Sequence, residues 1–155
     1  MSDRHDVRYA TPDDLDLLTP LFDGYRVFYE QRSDPERARA FLKQRMQLRE
    51  SVILLALSTS GEAVGFVQLY PSFSSVAAER IWILNDLFVV EHARGSGASQ
   101  ALMEAAKDHA RFTGAVRITL STAKTNKHAQ RLYESLRYVR DDAYLTFDLT
   151  IGGPA

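Results

Sequence analysis

No cysteine occurs among the 155 residues. That excludes a disulfide framework, thiolate metal sites and a protein thiol nucleophile. A surplus of charge is missing as well, since 19 Lys and Arg stand against 20 Asp and Glu for a formal net charge of −1. Nucleic-acid binders usually carry a basic excess, so broad electrostatic binding of that kind is not expected, although a local positive site is compatible with the balance. The polar start MSDRHDVRYATPDD lacks the apolar stretch of a signal peptide. The longest apolar runs, 52–57 and 87–90, fall far short of the ~20 residues that cross a bilayer. None of the histidines has a partner at metal-ligand spacing, so no metal site is expected. These absences lead us to expect a cytoplasmic protein with neither membrane nor nucleic acid as partner. What is present is 45% hydrophobic and 25% charged, an ordinary globular composition. The length suits one domain, expected over 6–150 with flexible ends at 1–5 and 151–155.

Periodicity gives the order of elements. A first strand is expected at 7–10. Thr11 then caps a helix with Pro12 in its first turn, and Leu15, Leu18, Phe22 and Tyr25 recur at helical spacing. Ser33-Asp34-Pro35-Glu36 opens a second, more polar helix. The run 51–58 reads as a buried strand entering a hairpin, with 63–70 returning. A loop is expected at 71–77 and a long strand at 79–90. Beyond Arg94-Gly95-Ser96-Gly97-Ala98-Ser99 a helical stripe runs to Phe112, and Gly114 closes it. A strand at 116–121, a helix capped by Asn126, and strands at 138–139 and 143–149 complete a mixed α/β chain.

The glycine-rich turn lies between a strand and a helix. The first N–H groups of a helix have no internal partner, and its dipole favours an anion there. Gly95 and Gly97 allow close backbone approach, and Arg94 adds a fork-shaped donor suited to phosphate. A P-loop is excluded because no Gly-Lys-Ser/Thr follows. The dinucleotide fingerprint is excluded because Gln100 stands where its third glycine belongs. A plain glycine-softened loop is the competing reading of this turn.

The stretch from Leu87 through Arg94-Gly95-Ser96-Gly97-Ala98-Ser99 to Leu102 resembles the acetyl-CoA motif of the GNAT acetyltransferase superfamily, Arg/Gln-x-x-Gly-x-Gly/Ala, with Ser99 departing at the last place. Asn126-x-x-Ala129-x-x-Leu132-Tyr133-Glu134-x-Leu136-x-Tyr138 is similar to that family's second signature, with Arg137 where most members have glycine. The resemblance runs from about Val7 to Leu149. It implies a single-domain GNAT-like fold, with a mixed, mostly antiparallel sheet containing a splayed parallel pair and about four flanking helices. It also implies acetyl-CoA as donor. The pyrophosphate would be held by Arg94, Gly95, Ser96, Gly97, Ala98 and Ser99, and the pantetheine arm by the backbone of Leu87, Phe88 and Val89. Asn126 would lie near the cofactor arm, and Tyr133 would be the acid that protonates the departing thiolate. Read without the family, Tyr133 is equally a core aromatic on an apolar helix face.

An alkylamine of pKa near 10.4 is only about 0.1% neutral at pH 7.4, so its attack calls for a proton acceptor. Asn85-Asp86 is the one polar pair in the strand Ile81-Trp82-Ile83-Leu84-Asn85-Asp86-Leu87-Phe88-Val89. This stretch is similar to the spermidine/spermine N-acetyltransferase branch, in which a Glu-Asp pair holds the same place and the Glu is the base. With Asn85 in that position, Asp86 acting through water is the expected acceptor; the alternative is a structural acid paired with an arginine. Glu30, Glu79 and Asp34 are further candidates. Strand alternation predicts that Asn85 and Asp86 face opposite ways. Tyr29, Tyr70, Phe73 and Trp82 are expected to line the acceptor pocket. The function implied is transfer of acetyl to a small polyamine-like or amino-acid-like amine by direct attack in a ternary complex, by a homodimer. A protein lysine or N-terminal acetyltransferase and a non-catalytic acyl-CoA sensor are the alternatives.

Overall fold

The structure, a computed structural model, describes residues 5–153, so most of the ends expected to be flexible lie outside the described residues. Two compact units follow one another along the chain, one through Ser121 and one from Thr122. The first contains β1 (Asp6–Tyr9), α1 (Leu15–Phe28), α2 (Pro35–Gln47), β2 (Val52–Leu57), β3 (Ala63–Ser74), β4 (Glu79–Val89), α3 (Ala98–Phe112) and β5 (Ile118–Thr119). The second contains α4 (Lys127–Ser135).

The five strands lie in chain order. β1 to β4 are antiparallel neighbours, and β4 and β5 form the parallel pair. Helices cover both faces, which explains why β2 reads as a continuous apolar run with Ile53, Leu54, Leu55 and Ala56 all buried. On one face, Leu18 and Phe22 of α1 and Leu42 of α2 pack with Ile53, Leu55 and Phe66. On the other, Gly65 lies so close to α3 and β4 that a Cβ there would meet the Phe88 carbonyl at 2.7 Å and Leu102 at 3.3 Å.

The mixed sheet with a parallel pair and four helices agrees with the expectation. Three details differ. The loop expected at 71–77 is largely strand, because β3 runs through Pro71 to Ser74. Beyond Leu69, β3 has β4 as its neighbour and no longer pairs with β2, so the N–H that proline lacks leaves no ladder bond unmade. The strand expected at 116–121 is a ladder of two residues, Ile118 and Thr119, paired with Trp82 and Ile83. The strands expected at 138–139 and 143–149 are absent, since no ladder forms there. Alternation marks a face, but a strand also needs a neighbour.

Candidate active site

The site is organised by an irregularity in β4. Gln68 of β3 pairs with Asp86, and the next residue, Leu69, pairs with Leu84, so Asn85 is an extra residue on β4. Such a bulge reverses which face the following side chains occupy. Before it, Trp82 lies on the α3 side, donating Nε1–H to Thr113 Oγ1 at 2.8 Å and packing on His109. After it, Asp86 and Phe88 lie on the α1 side, with Phe88 approaching Gly24. Asn85 and Asp86 therefore do not diverge as regular alternation predicted. Asn85 Nδ2 donates to Asp86 Oδ1 at 2.7 Å.

Asp86 is almost wholly buried, at 1% exposure, whereas Asn85 is exposed. Gln68, fully buried, donates Nε2–H to the other carboxylate oxygen at 2.5 Å. Burial pushes the Asp86 carboxyl above its ordinary value, and the donors Asn85, Gln68 and Tyr25 oppose that shift. No arginine pairs with Asp86 among the described residues, so the structural ion pair considered as its alternative role is not formed. Because the Asn85 NH2 is committed to the carboxylate, its Oδ1 is the atom left to accept a hydrogen bond.

Aromatic groups frame this cluster on the α1 side. The Tyr25 hydroxyl donates to the Asn85 carbonyl at 3.3 Å, and its ring lies 5.0 Å from Tyr29. Tyr70 shares a face of β3 with Gln68, two residues away. Burial, then the nearby Asp86 charge, raises the pKa of both Tyr25 and Tyr70. Of the expected pocket residues, Tyr70 lies beside Asp86 and Tyr29 is joined to it through Tyr25. Phe73 sits further along the hairpin, 67% exposed beneath the Arg80 guanidinium. Trp82 belongs to the core on the opposite face, because the bulge lies between it and Asp86. Gln68 was missed, although a lone polar residue in the run Ala63-Val64-Gly65-Phe66-Val67-Gln68-Leu69-Tyr70 carries the same signal as Asp86. Of the other base candidates, Asp34 accepts from the Arg37 N–H as the cap of α2, and Glu30 and Glu79 are exposed.

Along its other edge β4 is largely open. It pairs with β5 only at Trp82 and Ile83, and from there to Val89 that edge has no ladder among the described residues. Val90 donates to the Val64 carbonyl, so alternation turns the peptide of Phe88 toward β3 and those of Leu87 and Val89 toward the open edge. Arg94 Nε donates to the Val89 carbonyl at 3.1 Å, and its guanidinium lies over the rings of Phe28 and Phe88.

The turn that follows has the backbone of an anion cradle. Gly95 and Gly97 have φ of +79° and +94°, and a Cβ on either would meet nothing within 4 Å. Glycine is thus required by the dihedral, and the space beside it is free. The N–H groups of Gly95, Gly97, Ala98 and Ser99 have no backbone acceptor among the described residues, and no acid occupies the first turn of α3. Ser96 is otherwise engaged. Its hydroxyl donates to the Ala93 carbonyl and meets His5 Nε2 at 2.8 Å, a contact that nothing in the sequence announced.

Within the second unit, Asn126 Oδ1 accepts the Ala129 N–H and so caps α4, as its position predicted. The Tyr133 ring lies 6.0 Å from that of Tyr138.

The family model described as the acetyltransferase (GNAT) family matches residues 18–138. The chain belongs to the GNAT acetyltransferase family. It is similar to the uncharacterized N-acetyltransferase YhfO of Bacillus subtilis, with 49% identity over 94% of this chain and 97% of that one. It also resembles the crystal structure of a probable acetyltransferase, with a TM-score of 0.91 and 45% identity over 96% of this chain and 99% of the other. A more distant relative, at 29% identity over 91% of this chain and 89% of its own length, is named D-amino-acid N-acetyltransferase, from Saccharomyces cerevisiae. As a GNAT protein the chain is an acetyl-CoA-dependent acyltransferase. The structure fits that cosubstrate at two independent places. The free N–H groups at Gly95, Gly97, Ala98 and Ser99 suit a pyrophosphate, and the open edge at Leu87 and Val89 suits an amide-bearing arm laid beside a strand. No cluster of metal-ligating side chains occurs among the described residues, and no helix there is long and apolar enough to cross a membrane.

Proposed function

We propose that the protein acetylates a primary amine of a small molecule, polyamine-like or amino-acid-like, by direct attack in a ternary complex. The observation that carries this reading is the β4 bulge, which sets an exposed Asn85 amide against a buried, unpaired Asp86 carboxylate beside the open strand edge. Acetyl-CoA supplies the acyl group as a thioester, whose carbon takes the amine lone pair and whose sulfur leaves with the bonding pair. The substrate ammonium donates to Asn85 Oδ1, which Asp86 orients by holding the NH2. Asp86 takes the amine proton through a water, since the carboxylate is covered. Its raised pKa brings the acceptor closer to neutral pH than an ordinary carboxylate, which improves the proton transfer. Tyr133 returns a proton to the departing thiolate. Leu87 and Val89 hold the arm, and Arg94 and the glycine turn hold the diphosphate. The absence of cysteine supports direct transfer, because the chain offers no thiol to carry the acetyl group. The reading keeps the protein cytoplasmic and homodimeric, with no nucleic acid or membrane partner.

The test is coenzyme A release from acetyl-CoA with a panel of amines, with Tyr133→Phe run in parallel. Turnover dependent on the amine is expected, with kcat at least tenfold lower in Tyr133→Phe and coenzyme A affinity unchanged. Tight coenzyme A binding without turnover of any amine would mean that the chain is a sensor.

A further inference from the structure

Two charged groups of opposite sign flank Tyr70. One is Asp86. The other is Arg45 of α2, which acts on the Tyr70 phenol in the opposite sense to Asp86. Packing fixes Arg45 on this side of the sheet. Its guanidinium lies 4.7 Å above the Phe41 ring, Phe41 stacks on Phe22 at 5.5 Å, and Phe22 stacks in turn on Tyr25 at 6.0 Å. Tyr25 is the residue that donates to Asn85. One continuous aromatic wall therefore joins Arg45 to the acceptor end of the site.

Arg45 is incompletely satisfied there. Its side chain is 21% exposed and approaches Glu50 at 3.3 Å, yet its buried Nε makes no hydrogen bond. A guanidinium has five N–H donors in a planar fork matched to a carboxylate, and leaving them unused in a half-closed site is costly. The surrounding charge points the same way. Residues 26–50, which include α2 and the end of α1, hold seven Lys and Arg against four Asp and Glu, in a chain whose totals are 19 and 20. Arg37, Lys43 and Arg49 are exposed on that segment. Such a rim attracts an anion and repels a polycation.

Building on the amine-acetyltransferase reading above, we propose that the acceptor is an amino acid or similar ω-amino acid, with its ammonium at Asn85 and Asp86 and its carboxylate held by Arg45 across Tyr70. Arg45 is then the residue that selects amino acids over polyamines. The two charges of the substrate answer two charges of opposite sign set on either side of one ring, so a diamine meets the wrong group at its far end. Tyr70 fixes the distance between them and thereby the preferred chain length.

The experiment compares kcat/KM for glycine, β-alanine and γ-aminobutyrate with that for the carboxamide of each and for 1,4-diaminobutane, in the wild type, Arg45→Gln and Arg45→Lys. Melting curves confirm that each variant is folded. For the best chain length, the wild type is expected to favour the acid over its carboxamide by roughly ten- to a hundredfold, the range of one charge-assisted hydrogen bond. In Arg45→Gln that ratio collapses toward one, chiefly through KM, and Arg45→Lys restores part of it. If the diamine or the carboxamide matches the acid in the wild type, or if Arg45→Gln lowers acid and carboxamide alike, the assignment of Arg45 is wrong while amine acetylation stands. If no compound is turned over although coenzyme A binds, the transferase reading fails and this one with it.

Discussion

A carboxylate in the middle of an apolar strand has to be compensated, and at Asp86 the compensation comes from two amides rather than from a cation. That choice keeps the group titratable close to neutrality, because an arginine partner would have held it ionised far below. Its conspicuous place in the sequence is what marked it. Its partner Gln68 and its approach to Asn85 depend on the bulge, which is a miscount between two strands and leaves no trace in either one alone. His109 is a second buried titratable group, and it is independent of the chemistry. Its Nδ1 meets the Tyr9 hydroxyl at 2.7 Å, and its Nε2 is buried with no partner. Burial, then Arg80, lowers its pKa, so the folded state binds this proton more weakly than the unfolded chain. The associated stability is complete above about pH 6.5 and declines as pH falls toward the lowered value. Urea midpoints measured from pH 7.5 to 5.5 should therefore fall more steeply for the wild type than for His109→Phe. Parallel curves would show that His109 titrates normally.

At the scale of elements, all four helices end in the same way. Glu30, Arg49, Gly114 and Arg137 have φ of 64°, 52°, 73° and 70°, and the N–H of each next residue closes back on the helix, as from Glu50 to Arg45 and from Tyr138 to Tyr133. Three of these left-handed positions are occupied by residues with a Cβ. Gly114 was legible as a helix end because glycine announces the conformation, and the other three were not. Arg137 adopts the conformation that the glycine usual in the family would favour, so the end of α4 is not reshaped by the substitution. Arg49→Gly should raise stability by roughly 0.5–1 kcal/mol, by removing the strain and after allowing for the greater chain entropy of glycine. A denaturant midpoint equal to or below that of the wild type would contradict this. Asp14 shows the opposite case, a terminus that was readable in full. It pairs with Arg8 through both oxygens at 2.8 Å and accepts the Thr11 N–H, and those donors hold its carboxyl at about 2. Asp14→Ala should cost about 1–2 kcal/mol at neutral pH, less as pH falls from 4 toward 2, where the wild type loses the same interaction.

For the whole molecule, the balanced charge of the sequence conceals a division of labour. A basic rim occupies residues 26–50, while the anion cradle at Gly95 to Ser99 is made of backbone N–H groups and adds nothing to the charge count. The fold class was legible because strand and helix periods, and the turn between β4 and α3, are local patterns. The extent of β3 and β5, and the fate of 143–149, depend on neighbours, and there the sequence reading went astray. The account as a whole turns on whether Asp86 receives the proton of an attacking amine. The most direct measurement is the pH profile of kcat/KM in the wild type and in Asp86→Asn, with one good amine substrate. The wild type should show an acid limb above the ordinary carboxylate value of about 4, reflecting the raised pKa of the buried acid. Asp86→Asn should lose that limb and fall roughly a hundred- to a thousandfold, with coenzyme A affinity unchanged. An Asp86→Asn enzyme with the wild-type profile and rate would show that the proton leaves by another route and would contradict the account.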